Sequence, residues 1–276
     1  MRKQESQASP SVTLSEIAKE LRLEIVEALY ASGGGHYGGA LSVLDILLTL
    51  YSRECRRDTR GRNKDRVLLS KGHAAIALYA VLRHVGLCSQ ALQHYGTLGS
   101  GLEGHPDMTA NPAVEFSTGS LGQGLAVGLG MAIALSESPT HVWVVLGDGE
   151  CQEGQVWETA MLAARYKASN LIAVIDANNY QEYGWDATRV GEAVPVPELT
   201  RKWDAFGWRV LETAGHDHTA LADTFTQATR DCGKPTAVVA HTVKGHGFRY
   251  IEADPKRFHC TSVNGEEHLE ILRTLL

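Results

Sequence analysis

The chain has 276 residues, 43% hydrophobic and 21% charged, the balance of a globular protein with room for one large domain or two small ones. Its formal net charge of −6 leaves no basic footprint for nucleic acid or a membrane surface. Its five cysteines are scattered and lack a CxxC pair, which favours reduced thiols and a cytoplasmic protein over a disulfide framework or a zinc site.

Residues 1–12 are polar and read as a disordered N-terminus, not a signal peptide, and no apolar run is long enough to span a bilayer. Thr13-Leu-Ser-Glu16 has the form of a capping box. Ile17, Leu21, Ile25, Ala28 and Leu29 follow at helical spacing, so a helix is predicted to about residue 31. Ser32-Gly-Gly-Gly-His36-Tyr-Gly-Gly39 stops it. Glycines on both sides of His36 suggest a close backbone approach, although the stretch alone reads equally as a flexible interhelical loop. A second, leucine-rich helix is predicted over 42–51, and the polar stretch 53–65 reads as a surface loop.

Val67-Leu68-Leu69 is a short strand candidate that ends at Ser70-Lys71-Gly72-His73, with an alanine-rich helix following to about 85. The stretch 99–112 is glycine-rich and irregular and contains Gly104-His105-Pro106. Ser117-Thr-Gly119-Ser-Leu-Gly122-Gln-Gly124 leads into an apolar helix. A glycine-rich turn at a helix start suits a phosphate, and it also arises from tight helix packing.

The stretch 142–179 organises the rest. One apolar run ends in Gly147-Asp148-Gly149 and a second ends in Asn178-Asn179. Runs of that length bounded by turn residues suit buried strands. Between them Val156, Trp157, Ala160, Met161 and Ala164 stand at helical spacing over 154–167. Strand, helix, strand implies a right-handed crossover in a parallel sheet, with Asp148 and Asn178 at the carboxyl ends of neighbouring strands, where open α/β sheets bind ligands. Beyond this, 181–199 reads as a long loop, 199–206 and 219–230 as helices, and 208–211 and 235–240 as strands. The stretch 249–264 reads as irregular and 266–276 as a last helix. Alternating strands and helices argue for one α/β domain over 13–276.

A carboxylate at 148 and an amide oxygen at 178 are hard ligands that suit magnesium bound through a diphosphate. A Rossmann site fits less well, because no GxGxxG follows a strand directly.

The motifs Ser-Lys-Gly-His73, Gly-His105-Pro, Ser-Thr-Gly-Ser-Leu-Gly-Gln-Gly, Gly-Asp-Gly-Glu-Cys-Gln-Glu153-Gly and Ile-Asp-Ala-Asn178 together resemble the transketolase family over 14–265. The resemblance implies a three-layer α/β/α thiamine-diphosphate-binding fold with a mainly parallel central sheet. It implies transfer of a two-carbon ketol unit from a ketose or ketose phosphate to an aldose, with thiamine diphosphate and Mg2+. Asp148, Asn178 and the backbone carbonyl of Tyr180 would hold the metal. Gly147 and His73 would contact the diphosphate, with Gly149 beside them, and Gly119 and Leu121 would border the aminopyrimidine. Glu153 matches a glutamate that links two active sites across a dimer interface. His36, His73, His105 and His259 match four histidines that line the substrate channel and move protons.

The resemblance covers the diphosphate-binding domain alone. It therefore implies a split enzyme: an N-terminal-type subunit, inactive by itself. Its companion would be a C-terminal-type subunit bearing the pyrimidine-binding and C-terminal domains, in an α2β2 assembly. Departures from the family pattern fall at Tyr37, Glu182, Trp185, His246 and the tail after His259. Alternative readings are a subunit like deoxyxylulose phosphate synthase or a 2-oxo-acid dehydrogenase E1 α chain, a non-catalytic structural subunit, and a magnesium-dependent phosphohydrolase, which lacks a clear second carboxylate.

Overall fold

A computed structural model describes residues 12–57, 64–182 and 195–276. The N-terminal segment before Val12, the centre of the 53–65 loop and the departure at Trp185 lie outside the described residues.

Five strands, β1 (Arg66–Leu69), β2 (Val142–Gly147), β3 (Leu171–Ala177), β4 (Arg209–Ala214) and β5 (Thr236–His241), form one parallel sheet in the order β1-β2-β3-β5-β4. Every residue of β2 and β3 is buried. That is why these segments read as near-continuous apolar runs, broken only by Asp176 at the end of β3: a parallel sheet covered on both faces has no polar side to alternate with. The helices are α1 (Leu14–Ala31), α2 (Tyr37–Thr49), α3 (Ala75–His84), α4 (Gln123–Ala134), α5 (Gly154–Tyr166), α6 (Leu199–Ala205), α7 (His218–Ala228), α8 (Arg249–Glu252) and α9 (Gly265–Arg273).

Alternate strand residues feed two cores. Trp143, Val145, Ile172, Val174 and Val238 pack with α1, α2, α3 and α7, whereas Val144, Leu146, Ala173, Ile175 and Val239 pack with α4, α5 and α6. The result is the three-layer α/β/α arrangement, whose period-2 alternation divides each strand between the layers. No described helix is long and apolar enough to cross a membrane.

The capping box forms: Thr13 Oγ1 accepts from Glu16 N at 3.2 Å, and Glu16 Oε2 accepts from Thr13 N at 2.7 Å. α2 departs from the predicted 42–51. It begins at Tyr37 and buries all thirteen of its residues, then leaves through a π-helical turn, Leu50–Glu54. Gly38 and Gly39 belong to the stretch expected to break the helix, yet they sit in its first turn. A Cβ at Gly38 would meet Lys244 Cγ at 2.8 Å, and one at Gly39 would meet His73 Nε2 at 3.2 Å. Close packing here outweighs the roughly 1 kcal/mol that each helical glycine costs.

Two smaller departures have equally local causes. The buried stripe of α5 is Val156, Thr159, Ala160 and Ala163, which leaves Met161, expected inside, 55% exposed. Residues 249–264 are not wholly irregular, since α8 forms there and buries Ile251.

Asp45 of α2 ties four segments together. Arg22 of α1 donates to its Oδ2, His216 Nδ1 lies 2.7 Å from the same oxygen, and His218 Nε2 is 3.3 Å from Oδ1. His216 Nε2 accepts the Val243 amide at 2.8 Å, so the ring proton sits on Nδ1 and points at Asp45. Burial alone would raise the Asp45 pKa, but the His216 hydrogen bond and the Arg22 charge outweigh it and hold the carboxyl below its ordinary range. Asp45, His216 and His246 are the one triplet among the described residues with metal-ligating atoms within 4.8 Å of one another. The set does not suit a cation, because Arg22 already supplies the positive charge and both nitrogens of His216 are engaged.

Candidate active site at the carboxyl edge of the sheet

β2 and β3 run side by side in parallel, with Gly147 opposite Asp176, so their carboxyl ends open at one edge. A cavity of about 380 Å³ lies there, in the size range of small-molecule sites. Its walls include His36, His73, Gly119, Leu121, Gly147, Asp148, Gly149, Glu153, Asn178, Tyr180 and His259. Of the twelve residues singled out from the sequence, only His105 falls outside this lining; its ring lies 6.3 Å from that of His36, beside Gly119.

Asp148 follows β2 directly and opens the 3-10 turn Gly149–Gln152. Its Oδ1 accepts the Gly149 amide at 2.8 Å and its Oδ2 accepts the amide of Asn179. Asn179 reaches that position because it adopts φ 64°, a left-handed conformation that asparagine tolerates better than most residues. Asn178 is held at both ends: Nδ2 donates to Ser42 Oγ at 3.2 Å, and Oδ1 accepts from Tyr180 N at 3.0 Å. Behind it, Asp176 accepts from Ser42 Oγ at 2.6 Å, from Lys71 Nζ at 2.6 Å and from Thr242 Oγ1.

Asp148 is only 4% exposed. Burial, then the nearby Asp176 charge, push its pKa up to about 7 against the two amide hydrogen bonds. A buried carboxylate with unmet negative charge, an amide oxygen with a free lone pair and the adjacent Tyr180 carbonyl form a hard-oxygen donor set that fits a divalent cation.

His36, His73 and His259 share one wall. The His36 ring is 5.2 Å from that of His73 and 5.6 Å from that of His259. Burial lowers all three pKa values, helped by neighbouring positive groups: His36 to about 4, His259 to about 3, and His73 well below its ordinary value. The three are therefore neutral at physiological pH. Lys244 Nζ lies 2.7 Å from His259 Nδ1 and donates to it, which leaves the imidazole proton of His259 on Nε2.

Sequence reasoning missed two lysines. Lys71 and Lys244 are each 2% exposed and both line the cavity. Lys71 answers Asp176, whereas burial and the Lys71 charge push Lys244 down to about 8. A signal was available, because each lysine stands just beyond the carboxyl end of an apolar strand. Gln152 and Glu182 also line the cavity.

One expectation changes in detail. The glycine-rich turn before α4 suits a phosphate by its sequence, but the Gly122 amide at its end donates to Glu150 Oε1 at 2.8 Å, and the Gly147 amide donates to Glu150 Oε2 at 3.1 Å. Both amides already hold an anion that belongs to the protein.

The family profile "Transketolase, thiamine diphosphate binding domain" matches residues 13–275. The chain is 37% identical over 253 residues to an apulose-4-phosphate transketolase subunit of Phocaeicola vulgatus, covering 90% of this chain and 88% of that one. It is 36% identical over 247 residues to the 6-deoxy-6-sulfo-D-fructose transketolase subunit SqwG of a Clostridium species, covering 87% and 88%. Among solved structures it resembles the Leishmania mexicana transketolase, with TM-score 0.82, 25% identity and coverage of 94% of this chain and 41% of that one. The Campylobacter jejuni transketolase gives TM-score 0.79 and 29% identity, with coverage of 94% and 42%. The chain thus spans about two fifths of the solved transketolases it matches and most of the length of the relatives that are themselves single subunits. With the cavity, the sheet and the profile in agreement, the chain belongs to the transketolase thiamine diphosphate binding domain family.

Proposed function

We propose that this chain binds thiamine diphosphate through Mg2+ and works, with a second polypeptide, as a transketolase that moves a two-carbon ketol unit from a ketose or ketose phosphate to an aldose. One observation carries the reading: eleven of the twelve residues singled out from sequence line a single cavity at the carboxyl ends of β2 and β3. Asp148 and Asn178, with the Tyr180 carbonyl, would hold the cation. Lys244, a buried cation beside Asp148, offers charge to an anionic cofactor, and Gly147, Gly149 and His73 border the same space. Gly119 and Leu121 would flank the aminopyrimidine. Glu153, exposed at the N-terminus of α5, would reach toward a partner's site.

Thiamine diphosphate, when bound, supplies the carbanion that accepts and releases the two-carbon unit. The chain's own residues bind, orient and move protons. His36, His73 and His259 are neutral at pH 7, so each offers an N–H donor to sugar hydroxyls or to the oxygen of the reacting carbonyl, and His36 and His73 add an acceptor nitrogen. His259 presents Nε2–H, because Lys244 occupies Nδ1. His105 at the rim would meet the distal end of the sugar. The cavity walls reduce access of water to the reacting carbon.

Two apulose-4-phosphate transketolase relatives are named as subunits, and the chain matches them over 88% and 94% of their length. That supports a C-terminal-type companion with the pyrimidine-binding domain, in an α2β2 assembly. The names of the relatives, an apulose phosphate and a sulfofructose transketolase, favour a ketose that carries an anionic group. The free thiols fit a cytoplasmic setting. The test is ketol transfer by the complex recovered through an affinity tag on this chain. Transfer that requires thiamine diphosphate, Mg2+ and the companion is expected; equal turnover by the isolated chain would overturn the split-enzyme reading.

A further inference from the structure

Glu150 lies in the turn after β2, is 2% exposed, and has no part in the chemistry proposed above. Its hydrogen bonds come from three different segments. Ser70 Oγ and the Gly122 amide donate to Oε1, the latter at 2.8 Å, and the Gly147 amide donates to Oε2 at 3.1 Å. Each donor sits at the base of one wall of the cavity. Ser70 precedes Lys71 and His73, Gly122 follows Gly119 and Leu121, and Gly147 precedes Asp148 and Gly149.

Two of these segments, and the start of the helix after Glu153, meet at glycines that leave no room for a Cβ. A Cβ at Gly124 would lie 2.5 Å from Ser70 Cβ, and one at Gly72 would lie 2.8 Å from Gly119 N. One at Gly122, where φ is +81°, would lie 2.9 Å from Glu153 Cβ. Glycine packed against backbone or the first atoms of a side chain leaves little interdigitation to fix its register. Something else must set how far each wall slides past the next, and a forked acceptor with three donors from three walls does so. Only a carboxylate fits. All three donors face oxygen, and an amide at this position would turn its NH2 group against the N–H of either Gly122 or Gly147.

We propose that Glu150 is the positioning residue of the cradle: its carboxylate locks the Ser70, Gly122 and Gly147 segments in one arrangement before any cofactor arrives. It acts through those segments and touches neither substrate nor cofactor. The inference rests on the reading that the cavity takes thiamine diphosphate, but the locking itself can be measured without it.

The experiment compares the complex carrying Glu150→Gln with wild type. Hydrogen exchange without cofactor should speed at least tenfold in peptides covering 70–73, 119–124 and 146–150, while peptides from β5 and α1 exchange as before. The apparent thiamine diphosphate Kd, titrated with Mg2+ by tryptophan fluorescence, should rise at least tenfold, with the cofactor KM changed more than kcat. Ser70→Ala, which removes one arm, should loosen 70–73 and weaken the cofactor about threefold. It should add little on top of Glu150→Gln, since both act through one carboxylate. Wild-type exchange and Kd in Glu150→Gln would overturn the proposal. So would a loss confined to kcat, which would put Glu150 in the chemistry. If Glu150→Gln fails to fold, Ser70→Ala decides alone, and unchanged exchange and Kd there would equally overturn it. A wild-type complex that does not bind thiamine diphosphate would defeat the proposed function, while the exchange arm would still judge the lock.

Discussion

Asp45 and Asp148 are both buried aspartates, 1% and 4% exposed, and their surroundings treat them in opposite ways. Asp45 meets Arg22, His216 and His218 and is held below its ordinary pKa. Asp148 meets two backbone amides and is pushed up to about 7. One carboxylate is satisfied from within the fold and joins helices and loops to one another. The other is left with unmet charge at the mouth of the sheet, near Lys244, a desolvated cation whose ammonium is bonded to a neutral imidazole. The contrast separates charge used for stability from charge kept for a ligand, and sites of the second kind cost the fold stability.

Breaking the site should leave the fold standing. Asp148→Ala is expected to cut ketol transfer a thousandfold or more, about 4 kcal/mol of barrier, with the metal-free melting curve little changed. Steady-state kinetics of the complex, together with calorimetry of the variant, check both halves. If the variant instead melts much earlier while keeping activity, the assignment of the two aspartates is reversed.

Breaking the hub should do the opposite. Asp45→Ala strands the buried Arg22 guanidinium, 8% exposed, and should cost about 3 kcal/mol or more of stability. Urea denaturation measures the loss, and per folded molecule the cofactor affinity should stay within a few fold.

Acid should sharpen the comparison further. His36 and His246 titrate near 4 and His259 near 3 in the fold, against about 6.5 in an unfolded chain. Below pH 6.5 the unfolded chain takes up protons that the folded one refuses, so stability falls as pH drops from 6.5 toward 4, by roughly 1 kcal/mol per histidine per pH unit. Urea midpoints at pH 7.5 and 5.5 should differ accordingly. His36→Gln with His259→Gln should flatten that difference, whereas a curve unchanged by the pair would place the acid response elsewhere.

The smallest effect concerns Lys244. Lys244→Met removes a desolvated cation and should raise metal-free stability by about 1 kcal/mol while weakening cofactor binding. A lower melting temperature with intact affinity would class Lys244 with Asp45 as a stabilising charge.

Much of this contrast was open to the sequence on one side only. The Asp148–Asn178 pair follows two largely apolar runs, and a parallel sheet buried on both faces makes such runs conspicuous. The Asp45 hub left no such trace: Arg22, Asp45, His216 and His218 come from separate stretches, and nothing in their local pattern says that they converge. The start of α2 was hidden for a different reason. Gly38 and Gly39 signal a break locally, and only the lysine and histidine packed against them explain why the helix runs through. Glu150 stands inside a legible motif, but its role is not local, because the donors it gathers lie 28 and 80 positions away as well as beside it.

The complete burial of α2 has a consequence for how the chain is made. A helix with no exposed side needs its neighbours on every face, and it emerges from the ribosome long before the strands that cover it. β1 must also wait, since Arg66 pairs with Val142 and Leu69 with Val145, far downstream. Early in synthesis, then, the nascent N-terminal third carries exposed apolar surface without a sheet to dock on. Non-local pairing of this kind folds slowly and invites aggregation, which makes the first minutes of the protein's life the period when it depends most on chaperones.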